Sequence, residues 1–207
     1  MGKKLFEGIY KFKNEDFEKY KDIFEKLKDK QNPHTLFIGC SDSRVIPDLI
    51  TKTMPGELFT VRNIANIVPP YRDTQEYVAT TSAIEYAVLV LNVENIVVCG
   101  HSNCGGCYSA LHKENLENIP HVKKWIELIE PSVDYAKKIC EENNELKLEM
   151  AVEQINIVNQ IKNLLTYPFV KERFEDGKLN IYGWYYVIDT GDIYNYDMED
   201  GTFKLIS

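Results

Sequence analysis

The chain has 207 residues, of which 44% are hydrophobic, and this is enough for one domain with a sizeable core. Its 32 acidic side chains outnumber 24 basic ones, and the net charge of -8 predicts no attraction to nucleic acid or to an anionic membrane surface. Because we find neither a signal-peptide pattern nor a run of about 20 apolar residues, we expect a cytoplasmic protein without a membrane partner.

The first predicted element is an amphipathic helix over residues 14–30. Asn14 can cap its start by accepting a hydrogen bond from a backbone N–H of the first turn. One face carries four apolar side chains at helical spacing: Phe17, Tyr20, Phe24 and Leu27. Such a face needs a surface to cover, so we interpret residues 1–30 as an N-terminal helical arm and residues 31–207 as the main domain.

The remainder of the chain alternates between short apolar runs and longer amphipathic segments. The predicted strands, in chain order, span residues 35–40, 58–62, 95–100, 179–188 and 202–206. Helices are predicted for residues 74–91 and for most of 121–165, with a break at Pro131. Strands that alternate with helices predict a single α/β domain with a central, mainly parallel β-sheet flanked by helices.

The last predicted helical segment has a simple apolar pattern. Five side chains recur at intervals of three to four residues: Ala151, Ile155, Val158, Ile161 and Leu165. This spacing is typical of one helix face that packs against a core, and it requires no functional interpretation.

Two distant segments are expected to meet at one edge of the sheet. Cys40 ends the first predicted strand, while His101 and Cys104 follow the third. Ligands of open parallel sheets bind beyond the carboxyl ends of the strands. Two thiolates and an imidazole match the preferences of zinc, and three protein ligands leave a fourth position open for water, as in catalytic zinc sites.

Other interpretations of this cluster are open at this point. The cysteines can be small buried hydrophobes, with His101 an ordinary loop histidine. Cys104 and Cys107 also form Cys-Gly-Gly-Cys, which alone is typical of a thioredoxin-like redox pair. Measuring zinc content against a redox-titratable disulfide separates these interpretations.

A charged pair follows Cys40 and favours the catalytic interpretation. Asp42 and Arg44 stand two residues apart, and an acid and a guanidinium at this spacing can pair through two hydrogen bonds. Alone such a pair is usually only a salt bridge, but beside a three-ligand site it can hold a carboxylate next to the metal.

With these residues in place, the sequence resembles the beta class of carbonic anhydrases. The family pattern Cys-x-Asp-x-Arg, followed far downstream by His-x-x-Cys-Gly-Gly, matches Cys40, Asp42, Arg44, His101, Cys104, Gly105 and Gly106. The similarity continues through residues 55–71, 83–88 and 163–170, and it covers nearly the whole chain from Gln31 onward.

The resemblance implies a zinc lyase that reversibly hydrates carbon dioxide to bicarbonate and a proton. It implies one Zn²⁺ per chain, bound by Cys40, His101 and Cys104. It further implies that Asp42, oriented by Arg44, accepts a hydrogen bond from the zinc-bound hydroxide. Some relatives with the same zinc pattern hydrolyse carbon disulfide or carbonyl sulfide, so this is the alternative activity, and a zinc-stabilised binding module is a third possibility.

The resemblance also implies a substrate pocket and an oligomer. Pro69-Pro70-Tyr71 and Gln31 are similar to the plant-type subgroup, in which such a glutamine reaches the pocket across a dimer interface. The implied substrate-binding residues are Gln31, Phe59, Ile64, Tyr86, Gly105 and Gly106. The helical arm would wrap a partner subunit, giving a homodimer or a higher even oligomer.

A second subgroup holds bicarbonate at a noncatalytic site through a Trp, an Arg and a Tyr. The corresponding positions here are Phe37, Arg62 and Tyr186. Because Phe37 replaces the Trp, the resemblance does not carry this form of regulation over to the chain.

Overall fold

A six-stranded sheet forms the centre of the computed structural model, which describes residues 2–73, 76, 78–143 and 146–207. The strands are β1 (Thr35–Cys40), β2 (Leu58–Asn63), β3 (Asn95–His101), β4 (Asn180–Tyr186), β5 (Ile193–Asp197) and β6 (Thr202–Leu205). Their order is β2-β1-β3-β4-β5-β6. The first four are mutually parallel, and β5 and β6 add an antiparallel edge. The predicted α/β class with a mainly parallel sheet is confirmed.

Helices flank this sheet. Within the described residues they are α1 (Gly2–Lys11), α2 (Phe17–Leu27), α3 (Pro47–Thr51), α4 (Ala79–Glu85), α5 (Gly105–Leu111), α6 (Pro120–Ile126), α7 (Glu130–Glu142), α8 (Leu148–Leu164) and α9 (Pro168–Glu175). Single π-helical turns join α1 to α2 and extend α4, while 3-10 turns span Ile64–Asn66, Lys113–Leu116 and Glu127–Ile129. None of the described helices combines the length and the apolar character that a membrane span requires.

The predicted strands agree with the structure to within two residues at each end, but β5 was missed. Its sequence, Ile-Tyr-Asn-Tyr-Asp, contains residues that are depleted in strands, and all five positions are half-buried. It forms because it pairs with the end of β4 and with β6. Tertiary pairing therefore outweighs local propensity there.

Two helix predictions need correction. The arm helix begins at Gly2 rather than at residue 14, since α1 continues through a π-helical turn into α2, and α2 ends at Leu27 rather than at residue 30. The helix predicted for residues 74–91 starts at Ala79, and its turns continue to Val90. Residues 74, 75 and 77 lie outside the described part of the chain. Pro131 is confirmed as a break, since it occupies the first turn of α7.

Helix α8 lies directly against the sheet. A Cβ at Gly100 of β3 would stand 2.7 Å from Cγ1 of Ile157, so the absence of a side chain there permits the close approach. The core between helix and sheet is apolar and includes Leu36, Ile38, Ile96, Val98, Ile157 and Ile161.

The predicted apolar face of α8 is only partly correct. Ala151 and Ile161 are buried, whereas Ile155, Val158 and Leu165 are half-buried. The helix instead buries three polar side chains, Glu153, Asn156 and Gln160. Burying them is costly unless each finds a hydrogen-bond partner.

Candidate metal centre

The centre lies where the strand order changes direction, at β1 of the parallel part of the sheet. From β1 the chain moves to β2 on one side, and β3 lies on the other side, so the carboxyl ends of β1 and β3 border a crevice. Cys40 is the last residue of β1, His101 is the last residue of β3, and Cys104 follows three residues later. Their ligand atoms lie within 4.8 Å of one another, and all three residues are buried. The predicted convergence is confirmed.

The His101 ring presents one nitrogen to the two thiols. Its Nδ1 lies 2.9 Å from the backbone oxygen of Ser102, and an N–H there would donate to that carbonyl. Nε2 is buried and has no hydrogen-bond partner among the described residues; the nearest carboxylate oxygen, Oδ2 of Asp42, is 4.0 Å away. A buried imidazole nitrogen that is oriented by a backbone carbonyl and faces two thiols fits a zinc ion.

The thiols themselves need a nearby positive charge before they can ionise. The sulfurs of Cys40 and Cys104 are 4.0 Å apart. Contact with Cys104 and burial raise the pKa of Cys40 to about 12. The pKa of Cys104 is also raised, first by its contact with the Cys107 thiol and then by burial. A divalent cation would reverse this effect and bind both as thiolates.

Asp42 and Arg44 form the predicted bidentate pair. Arg44 Nε donates to Oδ1 of Asp42 at 2.9 Å, and Nη2 donates to Oδ2 at 2.8 Å. The backbone N–H of Arg44 also donates to Oδ1, at 3.0 Å. These hydrogen bonds hold the pKa of Asp42 far below its usual range. Asp42 is therefore an ionised acceptor at the mouth of the cluster.

Guanidinium groups also hold the backbone around this pair. Arg62 donates from Nε to the carbonyl of Cys40 at 3.0 Å and from Nη2 to the carbonyl of Asp42 at 2.6 Å. Arg44 donates from Nη2 to the carbonyl of Asn103 at 3.1 Å and so links the two ligand-bearing segments. This role of Arg62 could not be predicted from the sequence, since only the sheet register places its side chain beside β1.

The positions corresponding to the noncatalytic bicarbonate site serve other purposes in this chain. Phe37 is fully buried and meets Trp184 edge-on at a centroid distance of 6.2 Å. Tyr186 packs against the same small cluster. The Arg62 side chain donates its hydrogen bonds to the carbonyls of Cys40 and Asp42.

A buried carboxylate supports the second ligand-bearing segment. Glu153 of α8 is 5% exposed. Its Oε1 accepts the backbone N–H of Cys104 at 2.8 Å, and its Oε2 accepts the hydroxyl of Tyr185 at 2.8 Å. Burial raises the pKa of Glu153, while these two hydrogen bonds oppose the rise. Glu153 was not among the predicted site residues, although its place between the apolar helix positions Ala151 and Ile155 was a usable signal.

The segment that follows β2, residues 64–68, lies against the segment that carries Cys104 and is also held by α8. Asn156 donates from Nδ2 to the carbonyl of Ala65 at 3.0 Å, and Oε1 of Gln160 accepts the N–H of Val68 at 2.8 Å. Ala65 has a φ of 61°, a conformation that non-glycine residues seldom adopt. Its methyl group packs on Gly106, where an added Cβ would lie only 2.8 Å away.

A cavity of about 280 Å³ opens onto Cys40, one of the three predicted ligands, and onto Asp42. Its wall comprises Cys40, Ser41, Asp42, Ile64, Gly105, Gly106, Ser109 and Val122. Three of the predicted substrate-binding residues, Ile64, Gly105 and Gly106, therefore line it.

The other three predicted substrate-binding residues lie outside the cavity of their own chain. Phe59 pairs with Leu36, near the amino end of β1 and away from Cys40. It contacts Tyr86 at a ring distance of 5.9 Å, and Tyr86 is 43% exposed. Gln31 is exposed in the segment between α2 and β1. The strand register places Phe59, and with it Tyr86, at the opposite end of β1 from Cys40, so their assignment to substrate binding stays a prediction.

Comparisons with known proteins agree with this geometry. The family model described as carbonic anhydrase matches residues 35–193. A carbonic anhydrase from Helicobacter pylori (strain J99) is 42% identical over 205 residues, covering 97% of this chain and 93% of the relative. The solved structure of the beta-carbonic anhydrase CcaA superposes with a TM-score of 0.88 at 37% identity, covering 99% of this chain and 98% of that chain.

A second solved structure comes from a relative that is described as an oligomer. It is one of two beta-carbonic anhydrases described as tetrameric from the fungus Sordaria macrospora. Its TM-score is 0.72 at 33% identity, with 94% of this chain and 92% of that chain covered. The sequence match over most of the chain, the shared fold and the Cys-His-Cys cluster lead to the same conclusion: the chain belongs to the beta class of the carbonic anhydrase family and is a lyase.

Proposed function

We propose that the chain reversibly hydrates carbon dioxide to bicarbonate and a proton at one zinc ion held by Cys40, His101 and Cys104. The observation that carries this proposal is the buried Nε2 of His101, which faces two thiols and lacks a hydrogen-bond partner among the described residues. A zinc ion held there would make a water molecule acidic enough to act as a nucleophile near neutral pH. Three protein ligands leave a position for that water.

Asp42 is proposed to orient the nucleophile. Its carboxylate is ionised and is fixed by two hydrogen bonds from the Arg44 side chain. It can therefore accept a hydrogen bond from the nucleophile in one defined direction. The same pairing makes it a poor carrier of protons to solvent. Arg44 is thus assigned to hold Asp42 in place.

The cavity wall supports a small, weakly polar substrate. Ile64 and Val122 supply apolar surface, while Gly105 and Gly106 bring backbone close to the ligands without a side chain. We assign Ile64, Gly105 and Gly106 to substrate contact, with backbone N–H groups stabilising the charge that grows on oxygen.

A second copy of the chain is proposed to complete the assembly as a homodimer or a higher even oligomer. Helix α1 exposes Leu5, Phe6, Ile9 and Tyr10, each by more than 60%. Such a continuous apolar face is typical of an interface. On this proposal the arm of residues 1–30 covers a partner subunit, and Gln31, Phe59 and Tyr86 contribute to the partner's pocket. Light scattering should give an even multiple of the 24.0 kDa chain mass, and a monomer would contradict this.

A cytoplasmic location stays a prediction. It is supported by the five cysteines, all of which are free thiols, as is usual in a reducing compartment.

The activity is tested by stopped-flow hydration of carbon dioxide at pH 8.5 on zinc-quantified protein. We expect zinc-dependent turnover in the wild type and at least about a 100-fold loss, together with loss of zinc, in Cys104→Ser. Cys140→Ser is the matched control, because Cys140 lies on α7 outside the cluster. A zinc-replete but inactive wild type would contradict the proposal. Sulfide release from carbon disulfide or carbonyl sulfide would then identify the alternative activity.

A further inference from the structure

Helix α8 carries a buried row of polar side chains that its packing does not require. Glu153, Asn156 and Gln160 stand three and four residues apart, which places them on one helix face, and we call them the polar stripe. All three are buried among apolar neighbours such as Val152 and Ile157. Apolar side chains would fill this space without the cost of removing amides and a carboxylate from water. The partners of the stripe therefore indicate what it does.

Each member of the stripe binds the backbone of a segment that borders the metal centre. Asn156 and Gln160 bind the segment of residues 65–68, and Gln160 also donates to Oδ1 of Asn156 at 2.7 Å. Glu153 binds the segment that carries Cys104. One rigid helix thus fixes both segments from the inner side of the centre.

We propose that Glu153 is a positioning residue for the metal centre, fixing the direction of the Cys104 thiol through the backbone N–H of Cys104. The inference deepens the proposed function and rests on it. Cys104 immediately precedes α5, so its N–H has no place in a helical hydrogen bond, and Glu153 supplies the acceptor. Because the N–H and the side chain belong to the same residue, holding one restricts the other.

Tyr185 holds the carboxylate in turn. Its hydroxyl donates to the second oxygen of Glu153 from β4, which pairs with β3 beside His101. The carboxylate is therefore anchored on both α8 and the sheet. This chain of contacts gives Glu153 one orientation, as partners of metal ligands require.

Glutamine and leucine substitutions separate positioning from simple core stability. In Glu153→Gln, the amide oxygen can still accept the Cys104 N–H, and the amide nitrogen can donate to the Tyr185 oxygen. In Glu153→Leu, the size is similar but both hydrogen bonds are lost. Asn159→Ala is the matched control, since Asn159 lies on the same helix and donates instead to Ser132 of α7, at 2.8 Å.

The measurement is zinc release from the holoenzyme to a colorimetric chelator, at a temperature where every variant is folded. We expect Glu153→Leu to release zinc at least about 10-fold faster than wild type, and Tyr185→Phe about 3-fold faster. Glu153→Gln should stay within about 2-fold of wild type, and Asn159→Ala should match it. At full zinc loading, Glu153→Leu should lower kcat and leave KM nearly unchanged.

Equal zinc release from Glu153→Leu and Asn159→Ala, at matched stability, would overturn the proposal. If Glu153→Leu does not fold, Tyr185→Phe decides, and release equal to that of Asn159→Ala overturns it. Zinc release is measured without carbon dioxide, so an inactive wild type would contradict the proposed function without altering this comparison.

Discussion

The two segments that carry the metal ligands are held in place by different means. Residues 40–44, which we call the first ligand loop, are held by hydrogen bonds from the exposed side chains of Arg44 and Arg62. Residues 101–106, which we call the second ligand loop, are held by the hydrogen bond from the Cys104 N–H to the buried carboxylate of Glu153. Charged hydrogen bonds at a surface can be removed with little effect on packing, whereas buried ones are inseparable from it. We therefore expect the first loop to control chemistry and the second to control both metal retention and folding.

The largest expected effect comes from Arg44→Ala in the first loop. Asp42 would lose both side-chain hydrogen bonds, and its Oδ2 already lies 4.0 Å from Nε2 of His101. We expect it to turn inward and occupy the position needed by water, which lowers kcat about 100-fold while zinc content stays at one per chain. Stopped-flow assays combined with atomic absorption measure both quantities.

The control for this variant is Lys178→Ala, which removes an exposed ion pair with Asp176 at the amino end of β4. It should leave the rate unchanged. If zinc-replete Arg44→Ala turns over at the wild-type rate, the hydrogen bonds from Arg44 to Asp42 do not contribute to catalysis.

A pair of glycines tests the second loop. A Cβ at Gly106 would lie 2.8 Å from that of Ala65 and 2.9 Å from Cγ2 of Ile64, so Gly106→Ala should cost about 2 kcal/mol in the free energy of unfolding. Gly105 has nothing within 4 Å of the same position, and Gly105→Ala should stabilise α5 by about 0.5 kcal/mol. Urea unfolding of the metal-free proteins compares them. Equal effects would mean that the loop adapts freely.

Asp42→Asn tests the charge of the first loop through its pH dependence. Arg44 lowers the folded-state pKa of Asp42, so the pair stabilises the protein above the unfolded pKa of about 3.9 and loses this effect as pH falls towards the folded value. We expect the free energy of unfolding of the wild type to exceed that of Asp42→Asn by about 1 kcal/mol at pH 7, which is the upper end for a partly exposed ion pair. The difference should narrow below about pH 4.

Urea unfolding of the metal-free proteins at pH 7, 5, 4 and 3 provides the measurement. Asp176→Asn is the control, because its partner Lys178 is exposed and the pair should contribute little at any pH. A constant difference between wild type and Asp42→Asn across this range would contradict the assignment to ionisation.

The contrast between the loops also explains which parts of the site could be predicted from the sequence. Cys40, Asp42 and Arg44 are neighbours along the chain, and His101 and Cys104 follow a strand, so local spacing and strand ends were sufficient. Arg62 and Glu153 act on backbone atoms 22 and 49 residues away. Such contacts depend on register and helix rotation, which single-sequence patterns do not define.

The same limit explains the errors in the fold. Apolar spacing predicted that α8 was a helix but assigned too little of its surface to the interior, because burial of Glu153, Asn156 and Gln160 depends on partners in other segments. The family match named Phe59 as a substrate-binding residue, but it gives residue identities without strand register and so does not say where Phe59 lies relative to Cys40. The parallel register with β1 places it level with Leu36.

The smallest expected effect lies where the two loops meet, at Asn103. This residue has a φ of 55°, and its carbonyl accepts a hydrogen bond from Arg44. Glycine adopts that conformation freely, so Asn103→Gly should change the free energy of unfolding by less than about 0.5 kcal/mol. Asn103→Ala should cost up to about 1 kcal/mol, because a Cβ disfavours this conformation. Urea unfolding distinguishes the two. If both variants lose the same amount, the asparagine side chain joins the loops; if only alanine does, the backbone conformation that presents the carbonyl to Arg44 joins them.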